Sequence, residues 1–123
     1  MPSLQDHIAK ASHNETFITQ LGQLPTQFPD WAMIATFYAA LHYVDAVLSL
    51  RNLHPPTHHQ RSSYVARMRP LRSIYPDYRT LEDTSRDARY TNNPVSPTSV
   101  TSNLQHFNLI KEHVRPLLPA GTV

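Results

Sequence analysis

The chain has 123 residues, 40% hydrophobic and 16% charged, with 2 Gly, 11 Pro and no Cys. That is enough apolar material for one core and too little glycine for the tight turns and bulges of a many-stranded sheet. Without Cys, disulfide scaffolds, Cys-ligated zinc and cysteine nucleophiles are excluded. The formal net charge of +2 is unevenly spread: residues 1–50 carry −3, residues 51–90 carry +4 and the remainder +1.

The first predicted helix runs over about residues 4–21, with Ser3 as N-cap and Leu4, Ile8, Ala11, Phe17, Ile18 and Leu21 as an imperfect apolar stripe, stopped by Gly22 and Pro25. A Pro-bracketed loop over residues 23–29 leads to Asp30, read as the N-cap of the clearest helix, about residues 31–50. Its seam is Ile34, Phe37, Tyr38, Leu41, Val44 and Leu48, with Ala35, Ala39, Ala40 and Ala46 permitting close helix approach. A helix this rich in Ala and Tyr, led by Trp31, also suits burial against a twofold mate.

A turn with Pro55 and Pro56 ends at Thr57, which with Gln60 forms a T-x-x-Q capping box opening a third helix towards Met68. Pro70 and Pro76 predict a break near Arg69, then a fourth helix over about residues 77–90 carrying Tyr78, Leu81 and Ala88. Residues 91–103, TNNPVSPTSVTSN, read as an exposed loop with a mobile tip. A last helix from about residue 101 to 117 shows Leu104, Phe107, Leu109, Ile110, Val114 and Leu117. With no internal repeat and no alternating strand pattern, the expectation is a single all-α domain, a four- to five-helix bundle over residues 1–123. The N-terminal stretch has no basic leader, and no segment is read as reaching the roughly 20 apolar residues of a membrane span, so a soluble cytoplasmic protein is expected.

The central helix and its turn, FYAALHYVDAVLSLRNLHPPTHHQR, resemble the HEPN superfamily, in particular the branch with a Tyr-Tyr-Ala-x-Phe-His-like helix followed by Pro-x-Thr-His. The residues carrying the likeness are Phe37, Tyr38, Ala39, Leu41 and His42, then Pro55, Pro56, Thr57 and His58; the later SRDARY, Ser85 to Tyr90, is similar to the Arg-plus-Tyr segment that opens the last core helix in such proteins. The resemblance covers about residues 30–90. It implies a small up-and-down helical bundle, usually a homodimer, that cleaves RNA or binds RNA or nucleotides. It also implies an origin in toxin–antitoxin or defence loci, with a nucleotidyltransferase antitoxin as a partner protein. Active members carry an Arg, a polar residue and a His with four to six residues between the Arg and the His, a spacing met here by Arg51, Asn52 and His58. In most active members the motif opens the last core helix, whereas here it spans the turn between the second and third helices. A non-catalytic module that binds a partner protein is the alternative.

The chemistry behind that assignment is simple. His58 at the first position of a helix faces the positive end of the dipole, which disfavours the imidazolium and leaves a base for a ribose 2′-hydroxyl, while Arg51 offers a cation to the developing phosphorane. The plainer reading has Arg51 offsetting its own helix dipole and His58 and His59 as exposed first-turn residues. Tyr38, His42 and Asp45, at i, i+4 and i+7, share one face and form a candidate polar pocket in which Asp45 orients His42, or a buried structural histidine. Every positive charge in residues 51–90 is an arginine. Among them Arg61, Arg67, Arg69 and Arg72, interleaved with Tyr64 and Tyr75, have the composition of an RNA-contacting surface, unless they pair with Asp77, Glu82, Asp83 and Asp87. No cofactor is called for. No metal is expected either, because His54, His58 and His59 have no carboxylate at ligand spacing and adjacent helical residues face apart.

Overall fold

Ser3 starts the first helix with two reciprocal bonds. Its Oγ accepts from the Asp6 N–H at 3.1 Å and its own N–H donates to the Asp6 carboxylate at 2.9 Å, occupying donors that a helix start otherwise leaves open. The computed structural model describes residues 2–21, 28–91 and 95–123. It has five helices: α1 (Leu4–Leu21), α2 (Pro29–Ser49), α3 (His58–Arg67), α4 (Tyr75–Tyr90) and α5 (Pro97–Val114), with single 3₁₀ turns at Arg72–Ile74 and Arg115–Leu117. There is no strand among the described residues, and the protein is an all-α bundle of the expected kind.

Three boundaries differ from the sequence reading for one reason, which is that proline opens helices here. Asp30 is not the N-cap of α2; Phe28 holds that position without a side-chain bond and Pro29 takes the first turn, where its fixed φ and missing N–H are tolerated. Pro76 lies in the first turn of α4 and does not break it. Pro97 opens α5, where Ser96 Oγ accepts from the Ser99 N–H at 3.2 Å, so residues 97–100 are helix and not loop. The predicted loop tip at residues 92–94 and the Pro-bracketed segment over residues 22–27 lie outside the described residues.

α2 is the hub. α1, α4 and α5 all pack on it, α3 packs against α4, and 14 of the 21 residues of α2 are buried. The main core joins Phe37, Val44 and Leu48 of α2 to Val65, Leu71, Tyr78, Leu81, Phe107, Ile110 and Val114. A smaller cluster of Ala32, Met33 and Val100 closes the other end of α2. Phe17 and Leu109, predicted on apolar stripes, are exposed. The expectation that no segment reaches membrane-span length is corrected by α2 itself: it passes on length and on a hydropathy of 1.3, but 78% of that window is buried inside the bundle. Its apolarity serves the core: Ala35, Ala39, Ala40 and Ala46 are buried by these neighbours, while Trp31 at its start is exposed.

Candidate functional site

The end of α2 sets the geometry. The Leu48 carbonyl accepts from both the Arg51 and Leu53 N–H groups, each at 3.0 Å, and Asn52 adopts φ of 57°, the left-handed conformation that Asn tolerates better than most residues. The chain then passes Pro55 to Thr57, whose Oγ1 accepts from the Gln60 N–H at 3.1 Å and starts α3 at His58. Asn52 therefore shapes the turn. Arg51 is exposed, and among the described residues nothing joins either of them to His58.

Other arginines face His58. Arg61, one turn along α3, places Nη1 3.4 Å from His58 Nδ1. From α4, Arg89 Nη1 donates to the Tyr38 hydroxyl at 2.7 Å, and the Tyr38 ring lies 6.2 Å from the His58 ring with Phe37 at 5.7 Å. Arg86, a turn before Arg89, is half exposed and held by Glu82 at 3.8 Å and Asp83 at 3.3 Å. His58 and Arg86 line an open cleft of about 320 Å³ whose walls also include His59, Ser62, Arg79 and Glu82, while Arg61, Arg89 and Tyr38 lie behind the His58 ring and outside that lining. Desolvation of the ring, then the charges of Arg61, Arg89 and Arg86, hold His58 below the ordinary imidazole value. It is a neutral base at neutral pH, still reachable from solvent. Glu82, 3% exposed, is pushed the other way by burial, and its Oε2 has no hydrogen-bond partner among the described residues.

Arg61 does not belong to an exposed basic surface. It is 8% exposed; Nε donates to Asp45 Oδ1 at 2.7 Å and Nη2 to Oδ2 at 3.1 Å, a bidentate pair that neutralises both charges inside the protein. Tyr64 is half-buried against the core. Arg67, Arg69 and Arg72 are exposed, and none is in an ion pair among the described residues, because Glu82 and Asp83 pair with Arg79 and Arg86, and Asp77 with His106. The basic surface of this segment is thus smaller than its composition implied.

Tyr38, His42 and Asp45 do share a face of α2, yet they do not act as one group. The Tyr38 hydroxyl accepts from Arg89 while its ring, like His42, lines the groove between α1 and α2, and Asp45 takes Arg61 rather than His42. His42 Nδ1 is buried without a hydrogen-bond partner among the described residues, and its ring lies 5.8 Å from that of His7 on α1. Sequence reasoning missed His7, Arg86 and Arg89 as site residues. Arg86 is masked by i−3 and i−4 acids that make it look like a surface pair, and His7 by the 35 positions separating it from His42. Comparison with family models, curated proteins and solved structures finds no match for this chain.

Proposed function

We propose that the chain is a HEPN-like domain that engages RNA or a nucleotide at the His58 cleft. In this reading it acts in the cytoplasm, as a homodimer, as a metal-independent endoribonuclease of a toxin–antitoxin or defence system. The observation that carries this reading is a solvent-reachable, neutral His58 on the wall of an open cleft, with Arg61 3.4 Å from its Nδ1, Arg86 on the same wall and the charges of Arg89 and Arg86 acting on the ring. His58 takes the proton of the 2′-hydroxyl as its oxygen bonds to phosphorus, the P–O5′ bond breaks, and the 5′-oxygen leaves with a proton from the imidazolium or from solvent, while Arg86, half exposed at the cleft, meets the phosphate as charge develops; neither role calls for a Lewis acid. Arg89 positions Tyr38. This gives to α4 the cation that the sequence spacing gave to Arg51, and leaves exposed Arg67, Arg69 and Arg72 available for phosphate contacts outside the cleft lining.

Purified protein incubated with total RNA in EDTA is expected to leave 2′,3′-cyclic phosphate ends. His58→Ala and Arg86→Ala should each abolish cleavage with an unchanged circular dichroism spectrum; His59→Ala should matter less, since the next helical residue points about 100° away. Undiminished cleavage by His58→Ala protein overturns the assignment.

A second reading, a non-catalytic module that binds a nucleotidyltransferase antitoxin, is favoured by one observation. Phe17, Phe28 and Trp31 are exposed at one end of the α1–α2 pair, with Phe17 and Trp31 beside an open groove of about 400 Å³. Complete absence of cleavage on any RNA, together with a Trp31 fluorescence shift on titrating such a nucleotidyltransferase, would favour it.

A further inference from the structure

The seam between α1 and α2 brings His7, His42 and Asp45 together so that one ligating atom of each lies within 4.8 Å of the other two. The three do not satisfy one another: His7 Nδ1 stops 4.0 Å from Asp45 Oδ2, and His42 Nδ1 is buried with no partner among the described residues. Buried polar atoms are ordinarily hydrogen-bonded, so an orphaned ring nitrogen beside a second imidazole and a carboxylate calls for a reason. We propose that His7, His42 and Asp45 bind one divalent first-row transition-metal ion of borderline softness, zinc in the first instance, at a site separate from the His58 cleft. The inference does not rest on the ribonuclease reading.

The donor set fits that class of ion, since two imidazoles and a carboxylate are a usual protein complement for zinc with a remaining position for solvent or ligand. Tetrahedral ligation needs ligand atoms about 3.4 Å apart, so each side chain has to move by about 1 Å or less. Both histidines sit below the ordinary imidazole value, first through desolvation, and offer free lone pairs at neutral pH. Asp45 is already oriented by Arg61, as carboxylate ligands usually are by an outer partner, and each of its oxygens retains a lone pair. The opening is present as well: His7 and His42 both line a cleft of about 760 Å³ that also includes Asp6, Lys10 and His13. The positive charges of Arg61 and Lys10 oppose a cation, so affinity should fall short of a closed all-thiolate site.

The test uses the full chain and cobalt(II) as a spectroscopic probe. One equivalent should give visible ligand-field absorption that zinc displaces. His7→Gln and His42→Gln should each weaken binding by more than the roughly 10–100-fold that an outer-shell partner contributes, whereas His59→Gln should leave it unchanged. Asp45 is unsuitable for substitution here because its loss strands Arg61. Imidazole NMR of the unsubstituted protein needs no variant: zinc should perturb the His7 and His42 ring resonances and spare His59. No cobalt absorption at millimolar metal, or zinc shifts confined to other histidines, overturns the proposal.

Discussion

The α1–α2 seam and the α3–α4 cleft hold the same kinds of residue and arrive at opposite electrostatics. In the seam, two histidines meet a carboxylate whose charge is matched by a buried arginine. In the cleft, one histidine meets the charges of Arg61, Arg86 and Arg89, and the one carboxylate in the same wall, Glu82, is held by Arg79 and Arg86. The first arrangement suits a cation and the second an anion. Arg61 belongs to both, with its fork on Asp45 and Nη1 turned to His58 Nδ1 at 3.4 Å. A single buried guanidinium thus lets one site be near neutral and the other positive within one helical turn of α3.

The largest effect should come from breaking that shared link. Asp45→Ala leaves Arg61 buried and unpaired, and urea denaturation should show a loss of about 3–5 kcal/mol. Replacing both partners by leucine should cost far less, because the desolvation of two charges disappears with their attraction. If Asp45→Ala and the double variant are equally destabilised, Arg61 reaches solvent when its partner is lost, and the two sites are not coupled through it.

The second effect is kinetic and belongs to the cleft alone. His58 is held below the ordinary imidazole value of about 6.5. A base with a lowered pKa is already active at mildly acid pH, so the acid limb of the cleavage profile should lie below that value and the rate should be flat above it. Removing a guanidinium that faces His58 relaxes the shift, so the limb should move upward in Arg89→Lys only to the extent that the shorter-reaching ammonium leaves the ring. A limb above the ordinary imidazole value in the unsubstituted protein would sink the assignment of His58 as base.

Local rules made the fold legible and left the sites half hidden. Ser3 was readable as a cap because it precedes an apolar stripe, and Thr57 because a hydroxyl followed three residues later by Gln has a defined bonding geometry; each hydroxyl accepts the expected backbone N–H. Phe37, Leu41, Val44 and Leu48 were readable from their spacing. Proline was misread because the same residue ends one helix and opens another, and only the neighbouring backbone decides which. That His58 opens α3 was readable from the Thr57 cap. The arginines whose charge acts on it were not, since Arg86 and Arg89 lie on α4 and Arg61 points inward, a choice that depends on Asp45, 16 positions away. The seam cluster was illegible for the same reason: no local pattern ties His7 to His42.

The caps give a smaller and sharper comparison. Ser3→Ala and Thr57→Ala should each cost about 1 kcal/mol in thermal or urea unfolding. Only Thr57→Ala should also lower cleavage, because α3 begins at His58 and fraying its first turn displaces the base. Ser3 caps a helix whose main packing partner is α2 and none of whose described residues lines the cleft. Equal losses of activity in the two variants would mean that overall stability, and not the placement of His58, controls the reaction.

The smallest effect is a change of sign with pH, at Glu82. Burial raises its pKa while Arg86 and Arg79, at 3.8 and 3.7 Å, pull it down, and burial wins. Because the native carboxyl sits above its ordinary value, the native state binds the proton more readily than the unfolded chain does. Its contribution to stability is therefore greatest below the ordinary carboxylate range, and it declines as pH rises through that range to the native value. Glu82→Gln removes this titration, so relative to the unsubstituted protein the variant should be more favoured at about pH 7.5 than at about pH 4. The gain is small, since the amide also forfeits the attraction of two arginines. It should be accompanied by tighter binding of a phosphate-bearing ligand, because one anion has left the wall of the cleft. A gap that closes at high pH, with weaker phosphate binding, would mean that the ion pairs outweigh burial and that Glu82 holds Arg86 in place.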